Sequence, residues 1–140
     1  MSIRKLLASS ASSMSTWGLR HIAKRPAANM PGKIALKLDP QIIAESMGKV
    51  TEGSIVVVGT NGKTTITNMI ADALERQGKT VACNRTGANL AYGVATTLLQ
   101  TKGTVQWGVF ESDELWLAHT LPQVQASYVL LLNLFRDQLD

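Results

Sequence analysis

The chain of 140 residues has one cysteine, Cys83, so it cannot close an internal disulfide, and nothing near that cysteine has metal-ligand spacing. A reducing, cytoplasmic setting is the expectation that follows. No run of eighteen or more apolar residues occurs, which argues against a membrane-spanning helix. Acids are missing from the first 38 positions, where seven of the fourteen bases fall; from Asp39 onward seven bases face ten acids, a net of −3. The overall charge of +4 therefore belongs to the N-terminal segment. The body has no basic excess that would suit DNA or RNA, and nucleic acid is set aside as a partner. What is present, 45% hydrophobic and 17% charged residues, suffices for one globular core.

Residues 1–38 form a basic segment distinct from the domain at 39–140. Ile3, Leu6, Leu7, Met14, Trp17 and Ile22 roughly suit one face of a helix. Three readings stay open: a transit peptide, an amphipathic helix on the anionic inner face of a membrane, or a helix docked on the domain. Met30-Pro31-Gly32 reads as a turn closing the segment.

From Asp39 strand and helix alternate. Asp39 and Pro40 suit the start of a short helix reaching about Met47. Ser54 to Val58, β-branched and apolar on both faces, predicts a central parallel strand. Helical spacing of Ile66, Met69, Ile70, Ala73 and Leu74 predicts a helix over 63–77, ended by Gly78. Strands are expected at 80–83, 106–110 and 127–132, with helices at 90–100 and around 114–119. The expected fold class is α/β, a P-loop-type parallel sheet with helices on both faces. Ligands of such sheets sit beyond the carboxyl ends of the strands. The loop at Gly59, the turn at Glu111 and the turn at Asn133 all follow strands, so they should converge.

Gly59-Thr60-Asn61-Gly62-Lys63-Thr64-Thr65 lies between that central strand and its helix. A helix start preceded by glycines offers unpaired N–H groups and a positive dipole end to phosphates. In this pattern Lys63 supplies a charge for the β- and γ-phosphates, and the Thr64 hydroxyl is placed for Mg²⁺. A chance match to such a run in this length of chain is on the order of one in a thousand, given ordinary glycine usage. Val57 stands where the standard loop has its first glycine, so the loop is a shorter variant. Mg²⁺ takes one or two carboxylates with phosphate oxygens. Glu111 is preferred as that carboxylate because it adjoins the end of the third strand; Asp113 or Glu114 could instead be a helix cap, and Asp137 is a further candidate.

The run 59–65, the strand-ending Glu111 and the Asn133-x-x-x-Asp137 turn together resemble the central ATP-binding domain of the Mur ligases. The segments Asn84 to Asn89, Asn133 to Asp140 and Pro31 to Asp39 are most similar to the branch forming the synthetase subunit of lipid II isoglutaminyl synthases. Gln138 stands where other Mur ligases commonly carry His. This resemblance implies an ATP-dependent amide-forming ligase. The α-carboxylate of D-glutamate in the lipid II stem peptide becomes an acyl phosphate, and ammonia then displaces phosphate to give D-isoglutamine. It also implies ATP and Mg²⁺ as cofactors, with Thr64 and Glu111 on the metal, Lys63 on the transferred phosphoryl group, and Asn61, Gly62 and Thr65 along the phosphates. Asn84, Gly87 and Asn89 join the site by the same likeness, with a plain glycine turn as the alternative.

Cys83 lies in an apolar strand with His21 and His119 far from it in sequence, so ammonia is not expected to be generated here; the resemblance implies a separate glutamine amidotransferase subunit as its source. Lipid II is membrane-anchored, so the basic segment could hold the chain at the membrane's inner face. The family's C-terminal domain and cysteine-rich zinc module are not in this sequence. A fragment that holds nucleotide weakly and does not amidate by itself is therefore expected. Two further readings remain open: another Mur-type ligase adding an amino acid, and a non-catalytic nucleotide-binding fragment.

Overall fold

A computed structural model describes residues 30–133 together with Ser10. The three readings of the N-terminal segment therefore lie mostly outside the described residues, as do Asp137 and Gln138. Four strands form one parallel sheet: β1 (Val50–Val58), β2 (Val81–Cys83), β3 (Val105–Ser112) and β4 (Tyr128–Leu131), in the order β2-β3-β1-β4. The Ile-Val-Val-Val run of β1 is thus central, as its two-faced apolarity predicts. Val56 pairs with Phe110 and Val57 with Glu111 across to β3, while Val58 pairs with Leu131 of β4.

Side chains alternate across a strand, so the register assigns faces. Val56, Val58, Ala82 and Phe110 point into one apolar cluster. That cluster is completed by Ala35 of α1 (Met30–Leu38), Ile42 and Ile43 of α2 (Ile42–Ser46), Val94, Ala95 and Leu98 of α4 (Ala91–Gln100), and Val124 of α5 (Leu117–Val124). The opposite face carries Val57, Val109 and Glu111, all buried, under α3 (Lys63–Arg76), whose Thr67 and Ala71 are buried in turn. Helices therefore cover both faces. Each large side chain enclosed here contributes about 1.5–3 kcal/mol of transfer free energy.

Several local expectations change. Met30-Pro31-Gly32 opens helix α1 and is not a turn. Proline is compatible with a first helical turn because its missing N–H would have no partner there. Gly32 lets α1 approach α4: its N–H donates to Thr96 Oγ1 at 2.8 Å, and a Cβ would overlap the Tyr92 carbonyl oxygen. Residues 30–38, placed in the basic segment by composition, thus pack against the domain. Asp39 is not the cap expected: its Oδ1 accepts from Gln41 N at 3.0 Å in the turn ahead of the helix, Gln41 holds the N-cap position with no side-chain cap, and the helix is only Ile42–Ser46, followed by a 3₁₀ turn. The helix expected around 114–119 is a 3₁₀ turn, Glu114–Trp116, running into α5, which continues past Pro122 to bury Val124. β3 extends to Ser112, so Glu111 lies inside the strand. Among the described residues β4 is a sheet margin, paired only with β1, and all four of its residues are exposed. No helix among the described residues is long and apolar enough to cross a membrane.

Candidate functional site

The convergence expected of the strand ends is present, and it begins with the loop after β1. Gly59 and Gly62 have φ of 150° and 85°, values that L side chains rarely adopt, and Gly62 is the N-cap of α3. Among the described residues no side chain caps this helix, and no acid lies in its first turn. The intrahelical ladder starts with Ile66 N donating to Gly62 O at 3.0 Å. The amides before it, at Gly62, Lys63, Thr64 and Thr65, are left out of that ladder and point toward the loop side. Thr60 and Asn61 are arranged differently. Their amides are taken by Asn133, through its carbonyl at 2.8 Å and its side-chain oxygen at 3.0 Å, and Asn133 Nδ2 donates back to Asn61 O at 3.2 Å. The turn after β4 therefore clamps the first half of the loop, and the second half stays open to an anion.

A cleft of about 320 Å³ opens over this helix start, lined by residues 60–65 with Gly87, Asn89 and Glu111. Glu111 reaches it because its register with Val57 turns it toward α3, where the Thr64 hydroxyl hydrogen-bonds its carboxylate. Burial raises the Glu111 pKa above the ordinary carboxylate range, against the Thr64 hydrogen bond and the Lys63 charge, which pull it down. Its Oε2 is buried with no hydrogen-bond partner among the described residues. A buried, incompletely satisfied carboxylate beside a hydroxyl is a donor set that fits a hard divalent cation. Among the described residues no three His, Cys, Asp or Glu side chains gather for a metal, so a cation here would draw most of its ligands from phosphate and water.

Asn84 corrects the sequence reading. Its Nδ2 donates to Ala88 O at 2.8 Å and Glu111 O at 3.1 Å, and its Oδ1 accepts from Glu111 N at 2.9 Å. With both amide hydrogens committed, Asn84 braces Glu111 and does not reach for a ligand. The brace arises because β2 stops at Cys83, leaving the side chain of the next residue to continue the pairing with β3. Asn89 does line the cleft, and its carbonyl accepts from Asp113 N at 2.9 Å. Asp113 is the cap of the following 3₁₀ turn, accepting from Leu115 N at 3.0 Å.

Lys63 is 8% exposed. Its ammonium donates to Gly59 O, and to Thr60 O at 3.2 Å, and lies 3.9 Å from Glu114 Oε2. By sequence Glu114 reads only as a cap or a rival metal ligand. Its pairing with Lys63 depends on the 3₁₀ turn, which carries no local sequence signal. The role of Asn133 was partly legible, since its turn was expected at this edge.

These features define a parallel α/β domain whose crevice, beyond the carboxyl ends of its strands, combines an open helix start, a lysine and a hydroxyl–carboxylate pair. The chain belongs to the Mur ligase family, matching the Mur ligase middle domain over residues 57–140. It is 39% identical over 114 residues to the lipid II isoglutaminyl synthase (glutamine-hydrolyzing) subunit MurT of Streptococcus pneumoniae strain R6, covering 79% of this chain and 25% of that protein. The subunit of the same name from Staphylococcus aureus strain COL is 30% identical over 138 residues, covering 91% and 31%. This chain therefore spans between a quarter and a third of the length of these relatives. In fold it is similar to a UDP-N-acetylmuramoylalanyl-D-glutamyl-2,6-diaminopimelate--D-alanyl-D-alanyl ligase from Acinetobacter baumannii. That likeness has a TM-score of 0.57 at 24% identity and covers 70% of this chain and 22% of the other.

Proposed function

We propose that this chain is the nucleotide-binding part of an ATP-dependent carbon–nitrogen ligase of the type that amidates the D-glutamate α-carboxylate of lipid II. The observation that carries the reading is the meeting of Lys63, the Thr64–Glu111 pair and the open start of α3 in one cleft. The names borne by the relatives favour the lipid II substrate. In this reading the amides at residues 62–65 hold the β- and γ-phosphates of ATP, and Gly59, Thr60 and Asn61 shape the loop around them. Thr64 and Glu111 would hold Mg²⁺. That ion would neutralise charge on the phosphates and orient them for transfer to the carboxylate, which is a poor electrophile until it carries a phosphate. Lys63 stabilises the charge that spreads over the moving phosphoryl group.

Ammonia would come from a glutamine amidotransferase subunit. Burial pushes the Cys83 thiol up to about 11, which keeps it protonated and unsuited to attacking glutamine. Titration of a fluorescent ATP analogue against the chain and its Lys63→Ala variant tests the reading. Loss of one charge-assisted contact worth about 1.5–3 kcal/mol should weaken binding roughly ten- to a hundredfold. Equal affinity would reject it.

A further inference from the structure

The Lys63 ammonium is held where a phosphate must compete for it. It has three hydrogens, and two acceptors, Gly59 O and Thr60 O, belong to its own loop. Besides Glu111, whose carboxylate also feels the Lys63 charge, the ammonium faces the Glu114 carboxylate at 3.9 Å, a distance set by charge attraction and too long for a hydrogen bond. Both Glu114 oxygens are buried without a hydrogen-bond partner among the described residues, and the side chain is 18% exposed. A carboxylate so enclosed depends on a nearby cation, because water solvates it poorly there. Its place is fixed from behind, by the Asp113 cap on Leu115 N and by Asp113 N on the Asn89 carbonyl.

We propose that Glu114 is a positioning residue for Lys63: the counter-charge that keeps the ammonium folded onto its loop in the free protein and yields it when a polyphosphate arrives. This rests on the nucleotide-binding reading above and adds a residue that sets how readily Lys63 is recruited. Two effects act in one direction. A phosphate must draw Lys63 away from Glu114, and the Glu114 charge repels the incoming anion. Removing that charge while keeping the side chain's shape should therefore tighten binding, with the larger part of the gain passing through Lys63 and only the repulsive part remaining without it.

The test titrates the full chain with a fluorescent ATP analogue and Mg²⁺, using wild type, Glu114→Gln, Lys63→Ala and the double variant. Expected is a roughly three- to tenfold gain in affinity for Glu114→Gln, the scale of a partly enclosed ion pair, and a clearly smaller gain, from lost repulsion alone, when Lys63 is already alanine. Glu114→Met, which replaces the buried carboxylate with an apolar chain of similar size, should give the same gain. Unchanged or weaker binding by Glu114→Gln, beside a wild type that does bind, overturns the proposal. An equal gain in both backgrounds also overturns it, since Glu114 would then act by plain repulsion and not through Lys63. If neither Glu114 variant folds, the residue is structural and the proposal fails. A wild type that binds no nucleotide removes the functional reading itself, an outcome separate from these.

Discussion

Replacing Asn84 with alanine should unfold the site from beneath. The side chain makes three hydrogen bonds, to Ala88 O, Glu111 O and Glu111 N, and is itself only 3% exposed. At about 1 kcal/mol net each they contribute roughly 3 kcal/mol, and a buried Glu111 N–H left without an acceptor would add about 1–3 kcal/mol more. Entry of water into the space vacated by the amide would offset part of this, so a loss of about 2–4 kcal/mol is expected. Urea denaturation followed by tryptophan fluorescence measures it as a lower midpoint at unchanged slope. Asn84→Asp sharpens the test. It keeps the acceptor for Glu111 N but sets an oxygen against two carbonyl oxygens that now receive Nδ2 hydrogens, and it buries a charge. It should be at least as unstable as the alanine variant. An aspartate variant as stable as wild type, or an alanine variant within about 0.5 kcal/mol of it, would refute the bracing role.

Glu111 should make stability depend on pH. Its folded pKa is raised, chiefly by burial, so between the unfolded and folded values the native state holds the extra proton. Stability should accordingly fall as pH rises through that window, and Glu111→Gln should abolish this part of the profile in denaturation series taken from pH 4 to 7. The same variant should lose the Mg²⁺ dependence of nucleotide affinity, and retained dependence would reject Glu111 as a metal ligand. Cys83, with its thiol raised to about 11, should react with a disulfide reagent at pH 8 roughly a hundredfold more slowly in the folded chain than in urea. Similar rates would show that the β2 thiol is not protected as described.

What could be read from the sequence was local. The Ser-Ile-Val-Val-Val run of β1 and the apolar spacing of α3 each specify themselves within a few residues, and the glycines and lysine between them carry their own chemistry. The pair Pro31-Gly32 misled because such residues usually punctuate. Here proline starts a helix, and glycine serves a contact with Thr96, 64 positions away. The site's supporting residues were hidden for the same reason. Asn84 acts as a brace only once β2 is known to lie beside β3 and to end at Cys83, while β3 runs on to Ser112. Asn133 becomes a clamp only when β4 is placed next to β1, with the loop at the end of both. Register then separates the two carboxylates that composition could not. Glu111 shares a sheet row with Val57 and must face α3 and Thr64, whereas Glu114 has left the strand and turns back onto Lys63. A short motif thus carries the sequence signal for an anion at the start of α3. The counter-charges that govern the motif's lysine and hydroxyl came from the order of the strands, which no window of adjacent residues encodes.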